Sequence, residues 1–401
     1  MEPRIAVLAL VGLALGTELY AYTAHLSSLA ADLDVSLPAA GQLATAYTVA
    51  YGLTTPVTTG LLAGVQRRRL IVGGLLALAA LNVAAATVSG FGVLIGLRIL
   101  CGAIGGAVAP AAASAAITMA RPGRTGHAMA LVLAGTTLAF LVGIPFAGIV
   151  GSAAGWRATF AVAAGLAVLA AGGVFVAVPA GIGGETPGFA AVRRGLPPGV
   201  TFLLLLTLLG FAATFTVFAY IGPLAAAATG FDGVGIGLMQ TGVGLGSLLG
   251  IAFGLRHADA ARPWGLLAGA FAMSAVALVA FAFLVSTPVS QPWSTGGVML
   301  ALLLGSAAVF ARTPLIQARI VAGPVGSRSV LLSLNGLMIF VGQGLGALLG
   351  GLALGRFGLA SLGILSGGLA LLGLAATLAA GGFSLAGRRS RPPDDRSPSG
   401  R

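Results

Sequence analysis

Glu18 is the residue from which chemistry can be built. It lies in Ile5–Leu29, IAVLALVGLALGTELYAYTAHLSSL, a run long enough to cross a bilayer. At about 1.5 Å rise per residue, its carboxylate sits roughly 20 Å from the start of the run, near the middle of a hydrocarbon core about 30 Å thick. An acidic group at that depth costs about 2.5–3.5 kcal/mol on insertion, so it needs a partner, a proton or water. Tyr22 and His25 follow at spacings that share its helix face. Loading and unloading a proton is the chemistry open to such a group; the plainer alternative is a carboxylate permanently locked to an arginine. A secretory leader is a competing reading of the run, with Arg4 before it and Ser28-Leu29-Ala30 as a cleavage site. The run is too long for that, is interrupted by Glu18, and is followed by similar runs to the end of the chain.

Two arginines belong to the same inventory. Arg98, in GLRILCGAIGG, lies about 10 Å below the outer end of its span and opens a small-residue face with Gly102, Gly105 and Ala109. It faces a substrate cavity or snorkels to the outer interface. Arg312, in VFARTPLIQAR, is about 15 Å from the cytoplasmic end of its span. It can serve as a counter-charge, anchor an anionic substrate group, or bond a backbone carbonyl. Pro314 is expected to disturb the helix there and free carbonyls beside it. A polar and aromatic stripe, Gln42, Thr45, Tyr47, Tyr51, Thr54 or Thr55, and Thr58, points inward from its span and lines a cavity. Phe211, Phe215, Phe218 and Tyr220 on a later span, with Asn335 beyond them, complete the candidate cavity. Aromatic walls with few charges suit amphipathic small molecules, although interhelix packing explains the phenylalanines equally well.

Other chemistries find no support in these residues. HExxH, GxSxG and the Walker GxxxxGK[ST] do not occur, which argues against an enzyme and against ATP-driven transport by this chain alone. Gly242–Gly246 and Gly342–Gly346 look like parts of a dinucleotide fingerprint but fall within apolar helices. His25, His127 and His257 lie in different segments, and Cys101 is the one cysteine, so neither a metal site, a cofactor nor a disulfide is expected. His25 reads as a polar residue near the outer interface.

Elements able to hold these residues follow from composition. The 401 residues are 58% hydrophobic and 7% charged, too few charges to cover a soluble surface of this size. All 21 basic residues are arginine, scattered at helix ends, so the +12 charge reads as topology and not as a nucleic-acid footprint. The 64 glycines suit closely packed membrane helices. Apolar runs between charged or Pro/Gly breaks predict twelve spans, near 5–29, 39–63, 70–88, 91–119, 127–152, 157–180, 199–228, 233–255, 264–285, 294–321, 329–354 and 358–386. The fold class is an all-α polytopic membrane protein, with twelve transmembrane helices in two pseudo-symmetric six-helix bundles. Residues 1–180 form the N-terminal bundle, 181–198 a cytoplasmic central loop, 199–386 the C-terminal bundle, and 387–401 a disordered cytoplasmic tail. Glycine ladders at Gly135, Gly143, Gly148, Gly151, Gly155 and at Gly336, Gly342, Gly346, Gly350, Gly351 suggest a parallel repeat with its site at the midplane. One set of alternate loops carries Arg4, Arg67–Arg69, Arg121, Arg124, Arg193, Arg194, Arg256, Arg262, Arg328 and Arg388–Arg391; the other carries only Arg157 and Arg356, with Asp32, Asp34 and Asp232. Both termini are therefore expected in the cytoplasm, and the multi-pass chain in a cell (inner) membrane as a monomer.

Several of these stretches carry a family likeness. GTELYAYTAHLSSLAADLDVSLPAAGQLATAYTVAYGLTTP resembles the first two helices of the twelve-helix drug:proton antiporter branch of the major facilitator superfamily, with Glu18 as its acidic residue. GLRILCGAIGG resembles its fourth-helix arginine motif, with Arg98 in the arginine's place. LVLAGTTLAFLVGIPFAGIVGSAAGWRATF is similar to its fifth-helix antiporter motif, with Gly143, Pro145 and Gly148 as the core, and SLNGLMIFVGQGLGALLGG to its eleventh helix. The departure is GLLAGVQRRRL: Gly64 stands where the superfamily usually has aspartate, whereas Arg67, Arg68 and Arg69 remain. Asp259 in the corresponding loop of the second half retains a weaker version of that gate. The resemblance implies a secondary transporter that exports a small amphipathic molecule in exchange for protons, with Glu18 coupling the proton and lipid, substrate and protons as its partners. A proton-coupled uptake symporter of the same fold is the alternative.

Overall fold

The structure is a computed structural model that describes residues 3–62, 64–121, 124–183, 196–258, 260, 263–322 and 328–389. Twelve helical spans cross it in order, and no strand occurs among the described residues. The first half runs α1 (Arg4–Asp32), α2 (Leu37–Leu61), α3 (Arg67–Thr87), α4 (Phe91–Met119), α5 (Thr125–Leu138, a π turn Ala139–Gly143, then Ile144–Ala154) and α6 (Arg157–Ala177). The second runs α7 (Pro198–Phe218, then Ile221–Thr229), α8 (Gly233–Met239, then Thr241–Arg256), α9 (Pro263–Ser286), α10 (Trp293–Ala322), α11 (Arg328–Phe357) and α12 (Ala360–Arg389). Each falls within a few residues of its expected span. Eleven spans are long and apolar enough to cross a membrane. The remaining helix, α2, has the lower hydropathy because it carries Thr, Tyr and Gln among its apolar residues.

Packing repeats from half to half. In the first, α1 lies on α5 and α6, α2 on α4, and α3 on α4 and α6; in the second, α7 lies on α11 and α12, α8 on α10, and α9 on α10 and α12. The glycine ladders explain the tightest of these seams. A Cβ on Gly135 would strike the Ala9 carbonyl and one on Gly143 the Thr17 hydroxyl, so α5 seats on α1; Gly342, Gly346 and Gly350 meet the Leu208, Ala212 and Thr216 carbonyls in the same way, seating α11 on α7. Without side chains in the seam, backbones approach closely enough for dispersion contact in lipid, where helices have no hydrophobic drive to associate.

The halves meet along two reciprocal seams, α2 on α11 and α5 on α8, with the broken ends of α1 and α7 pressed together between them. Gly222 takes the Thr23 carbonyl against its Cα, a contact no larger residue would allow. Cross-half contacts gather toward the end of the bundle that holds Asp32, Thr229 and Phe357. They reach as far as Gly52 against Leu337 and Phe340; beyond that level Leu53, Val57 and Leu61 on α2 are exposed.

Two expectations change. Pro314 does not disturb its helix: α10 continues from Trp293 to Ala322, and the proline ring packs on Gly254 of α8, which leaves room for it. The final helix extends to Arg389, so Gly387, Arg388 and Arg389, placed in the tail by sequence, are helical. Residues 390–401, Asp259, Arg262 and most of the central loop (184–195) lie outside the described residues.

Candidate functional site

The site is built on a fault in α1. Its regular helix stops at Tyr20 and resumes through a 3-10 turn, Thr23–His25, before Leu26–Asp32. The fault leaves carbonyls without helical donors, and Arg98 of α4 takes them: Nη1 donates to Glu18 O at 3.2 Å and Nη2 to Leu19 O at 3.0 Å. The same Nη1 stands 3.6 Å from Glu18 Oε1. On the other side of the carboxylate, the Tyr47 hydroxyl donates to Oε2 at 3.2 Å, and Asn82 and Cys101 face it as well. Arg98 and Glu18 are 1% and 3% exposed, so the charges see protein and not water. Aromatic faces enclose the guanidinium, the Tyr47 ring at 4.4 Å and the Tyr22 ring at 5.2 Å. Arg98 therefore neither snorkels nor opens on a cavity; it is a strut between α4 and the broken helix.

α2 reaches this strut because of α4's small residues. Cβ atoms at Gly102 and Gly106 would collide with the Tyr47 and Tyr51 carbonyls, and one at Gly105 would come within 2.9 Å of the Tyr47 hydroxyl and the Tyr51 ring. Only part of the polar stripe faces inward. Thr54 and Thr58 pack against the Ala103 and Gly106 carbonyls of α4, their hydroxyls 3.3 and 3.2 Å from them, where a cavity lining was expected. Tyr51 stacks on Phe340 of α11, ring centroids 3.7 Å apart.

Between the halves lies an aromatic cluster that the sequence reading only half identified. Phe211 and Phe215 belong to it, with Phe218, Phe140 of α5 and Phe310 of α10. Its centre is Tyr20, whose ring meets Phe140, Phe215 and Phe218 and whose hydroxyl donates to Gln343 Oε1 of α11 at 2.7 Å. Phe140, Phe215, Phe218 and Phe310 also line an apolar cavity of about 40 Å³ reaching α9 and α10. Tyr20 is two residues from Glu18, so this cluster and the ion pair read the same stretch of α1 from opposite faces.

Toward the closed end, glutamines make a reciprocal clasp. Gln42 Nε2 donates to the Tyr220 hydroxyl at 3.4 Å, and Gln240 Nε2 donates to Thr23 Oγ1 at 3.0 Å. The sequence held a signal for this. Tyr20-Ala21-Tyr22, Asp34 and Gln42 recur as Phe218-Ala219-Tyr220, Asp232 and Gln240 at one constant offset. Each glutamine thus reaches the broken helix of the opposite half. His25 is buried, a correction to its expected place at the interface: Nε2 pairs with the Gly148 carbonyl at 2.8 Å, and the ring packs on Gly151 and on Gly233 of α8. Gly148 and Pro145 lie against Gly237, where α5 meets α8.

Arg312 and Asn335 form a separate group within the second half. The Arg312 guanidinium lies 4.1 Å from the Phe271 ring centre and donates to Gly210 O at 3.4 Å; Asn335 accepts from Thr207 at 2.9 Å. Of the loop arginines, Arg67 is buried and caps the Leu62 carbonyl, Arg68 lies over Phe175, and Arg69 is exposed. At the opposite end Asp32 is held by Arg157 and by the Trp156 indole N–H, and Arg157 also bonds Val88 O, clamping three loops.

Among known families, the Major Facilitator Superfamily matches residues 6–324. The chain belongs to the major facilitator superfamily. It is 31% identical over 300 residues to a chloramphenicol resistance protein of Streptomyces lividans, covering 72% of this chain and 75% of that one. It is 30% identical over 351 residues to the inner membrane transport protein YdhP of Escherichia coli K12, covering 86% and 87%. Its fold matches a bacterial homologue of the human lysosomal transporter Spinster, solved in an inward-facing and occupied conformation, with TM-score 0.71, 15% identity and 98% of each chain covered. This superfamily chain is therefore a multi-pass membrane transporter and not an enzyme, and the faulted α1 and α7 stand where its two bundles meet.

Proposed function

We propose that this transporter exports a small amphipathic molecule in exchange for protons, with Glu18 as the coupling group, from a cell membrane in which both termini are cytoplasmic. One observation carries the reading: Glu18 is the carboxylate buried inside the bundle among the described residues, and its counter-charge, Arg98, is shared with two backbone carbonyls. A permanently structural pair would be fully satisfied. Here, protonating Glu18 leaves Arg98 its carbonyls and Tyr47 a hydroxyl partner, so the neutral state is supported as well as the charged one. Both protonation states therefore keep their neighbours bonded, as a reversible proton site requires.

Mechanically, the proton changes how firmly α1 is held to α4 just below its fault. The same segment carries Tyr20 against the aromatic cluster and Thr23 against the clasp, so a change at Glu18 reaches both the apolar cavity and the closed end. With the termini inside, the closed end is the outer one, and this conformation opens inward. The 31% identity to a chloramphenicol resistance protein and the aromatic lining support an amphipathic cargo moving outward.

The test is Glu18→Gln, which keeps size and hydrogen bonding but fixes the neutral form. In proteoliposomes it should retain substrate binding and substrate counterflow yet lose accumulation driven by a pH gradient and substrate-induced proton release. Accumulation and proton release at the wild-type level would place the coupling elsewhere.

A further inference from the structure

We propose that Arg312 forms an anion site inside the second half for a single monovalent negative group: a free chloride ion or the carboxylate of a transported acid. Arg312 is 3% exposed, yet Nη1 has no hydrogen-bond partner and Nη2 makes one long bond to Gly210 O. The described acids, Glu18, Asp32, Asp34 and Asp232, form no ion pair with it. An uncompensated buried guanidinium is among the most unfavourable groups a bundle can hold unless something neutralises it.

The surroundings are shaped for that something. A Cβ at position 210 would stand 3.1 Å from the guanidinium carbon and from Nη1, so glycine there is what lets the cation lie flat against α7. Beside it is a cavity of about 10 Å³, lined by Thr207, Gly210, Phe211, Arg312, Thr313 and Ile316 among others. That volume admits roughly one water-sized sphere. Asn335, 1% exposed, accepts from the Thr207 hydroxyl at 2.9 Å, and its Nδ2 has no partner. Two unpartnered donors, Arg312 Nη1 on α10 and Asn335 Nδ2 on α11, thus belong to groups that bond Gly210 and Thr207 of α7, and the one long bond to Gly210 O leaves the guanidinium charge uncompensated. A halide or one end of a carboxylate supplies the missing acceptor and the missing charge together; water supplies only the first. Phe211 joins this cavity to the aromatic cluster, so an acid held by Arg312 would lay its apolar body toward the inter-half space. The inference does not depend on the export reading, because binding is measured without transport.

The experiment uses the full chain purified in detergent and its thermal unfolding midpoint. Replacing the bulky, carboxylate-free anion isethionate by chloride at constant ionic strength should raise the midpoint saturably in wild type, with Arg312→Met flat. Asn335→Leu should need about tenfold more chloride, and Arg312→Lys, a fold-preserving control, should keep a weakened response. Benzoate added at saturating chloride distinguishes the sources: a further rise absent with benzamide assigns the site to a transported carboxylate, and no further rise assigns it to the free ion. A wild-type midpoint insensitive to both anions, or a full chloride response in Arg312→Met, overturns the site; should Arg312→Met not fold, a full response in both Arg312→Lys and Asn335→Leu does the same.

Discussion

Arg98 shows how one side chain can serve the fold and the chemistry together. It replaces the helical donors that α1 lacks at its fault and faces Glu18 with the same Nη1. Removing one partner of a buried pair costs about 3–5 kcal/mol, mostly because the other charge is left unpaired. Arg98→Met should therefore lower unfolding stability by about that amount. Combining it with Glu18→Gln should recover part of the loss, and equilibrium unfolding of the four variants in detergent measures the coupling. Full additivity would mean that the carboxylate and the guanidinium do not sense each other. Gly64 tests the opposite case, an exposed site with nothing within 4 Å of an added Cβ. Gly64→Asp should fold normally, and an exposed pair with a nearby arginine is worth only about 0.2–1 kcal/mol. It should thus favour the conformation closed at that end by no more than severalfold, read from thiol accessibility of a cysteine in the inter-half space.

Helices here are positioned by what their contact faces lack. α2 sits close on α4 because Gly102 and Gly106 leave room for the Tyr47 and Tyr51 backbones and Gly105 for their side chains. Gly102→Val would force the helices apart, costing about 1–3 kcal/mol as overpacking, and would lift Tyr47 from Glu18. Its expected signature is a lowered unfolding midpoint together with reduced proton release. The clasp is an element-level device of another kind. Gln42 and Gln240 each bond the fault of the other half, and each bond is worth about 0.5–1.5 kcal/mol. Gln42→Leu with Gln240→Leu should shift the population toward opening at the clasped end. Cysteines at that end should then react faster with a hydrophilic thiol reagent; an unchanged rate would show that the close packing of Gly222 on α1 holds the end shut without them.

For the bundle as a unit, the open matter is which end faces which compartment. The orientation we propose, with the open end and both termini in the cytoplasm, rests on the arginine bias between alternate loops. Because Asp32 is clamped by Arg157 and Trp156, exposed Ser36 is the better reporter. With Cys101 replaced by serine, Ser36→Cys should be labelled in intact cells by an impermeant thiol reagent, and Ala190→Cys should not. The reverse pattern would invert the orientation and, with it, make this conformation outward-facing.

Span number, span limits and class were legible in the chain, because in lipid every backbone polar group must be satisfied within its own segment and long apolar runs have few alternatives. Glu18 was legible for the same reason: a carboxylate in such a run is costly enough to stand out. Its partners were not. Nothing local distinguishes Arg98 bonded to α1 carbonyls from Arg98 at an interface, since the difference lies in the fault of a helix far away in sequence. Thr54 and Thr58 look like cavity residues until α4's glycines bring acceptor carbonyls to them. Period alone assigns Tyr20 to another face than Glu18, and only the second half's phenylalanines make that face matter. The clasp was present as a repeated pattern, but a repeat states equivalence without stating contact. Contact between residues of different helices depends on the angle and height at which those helices cross. Those are set jointly by all the small residues in the seams, so only the assembled bundle decided them.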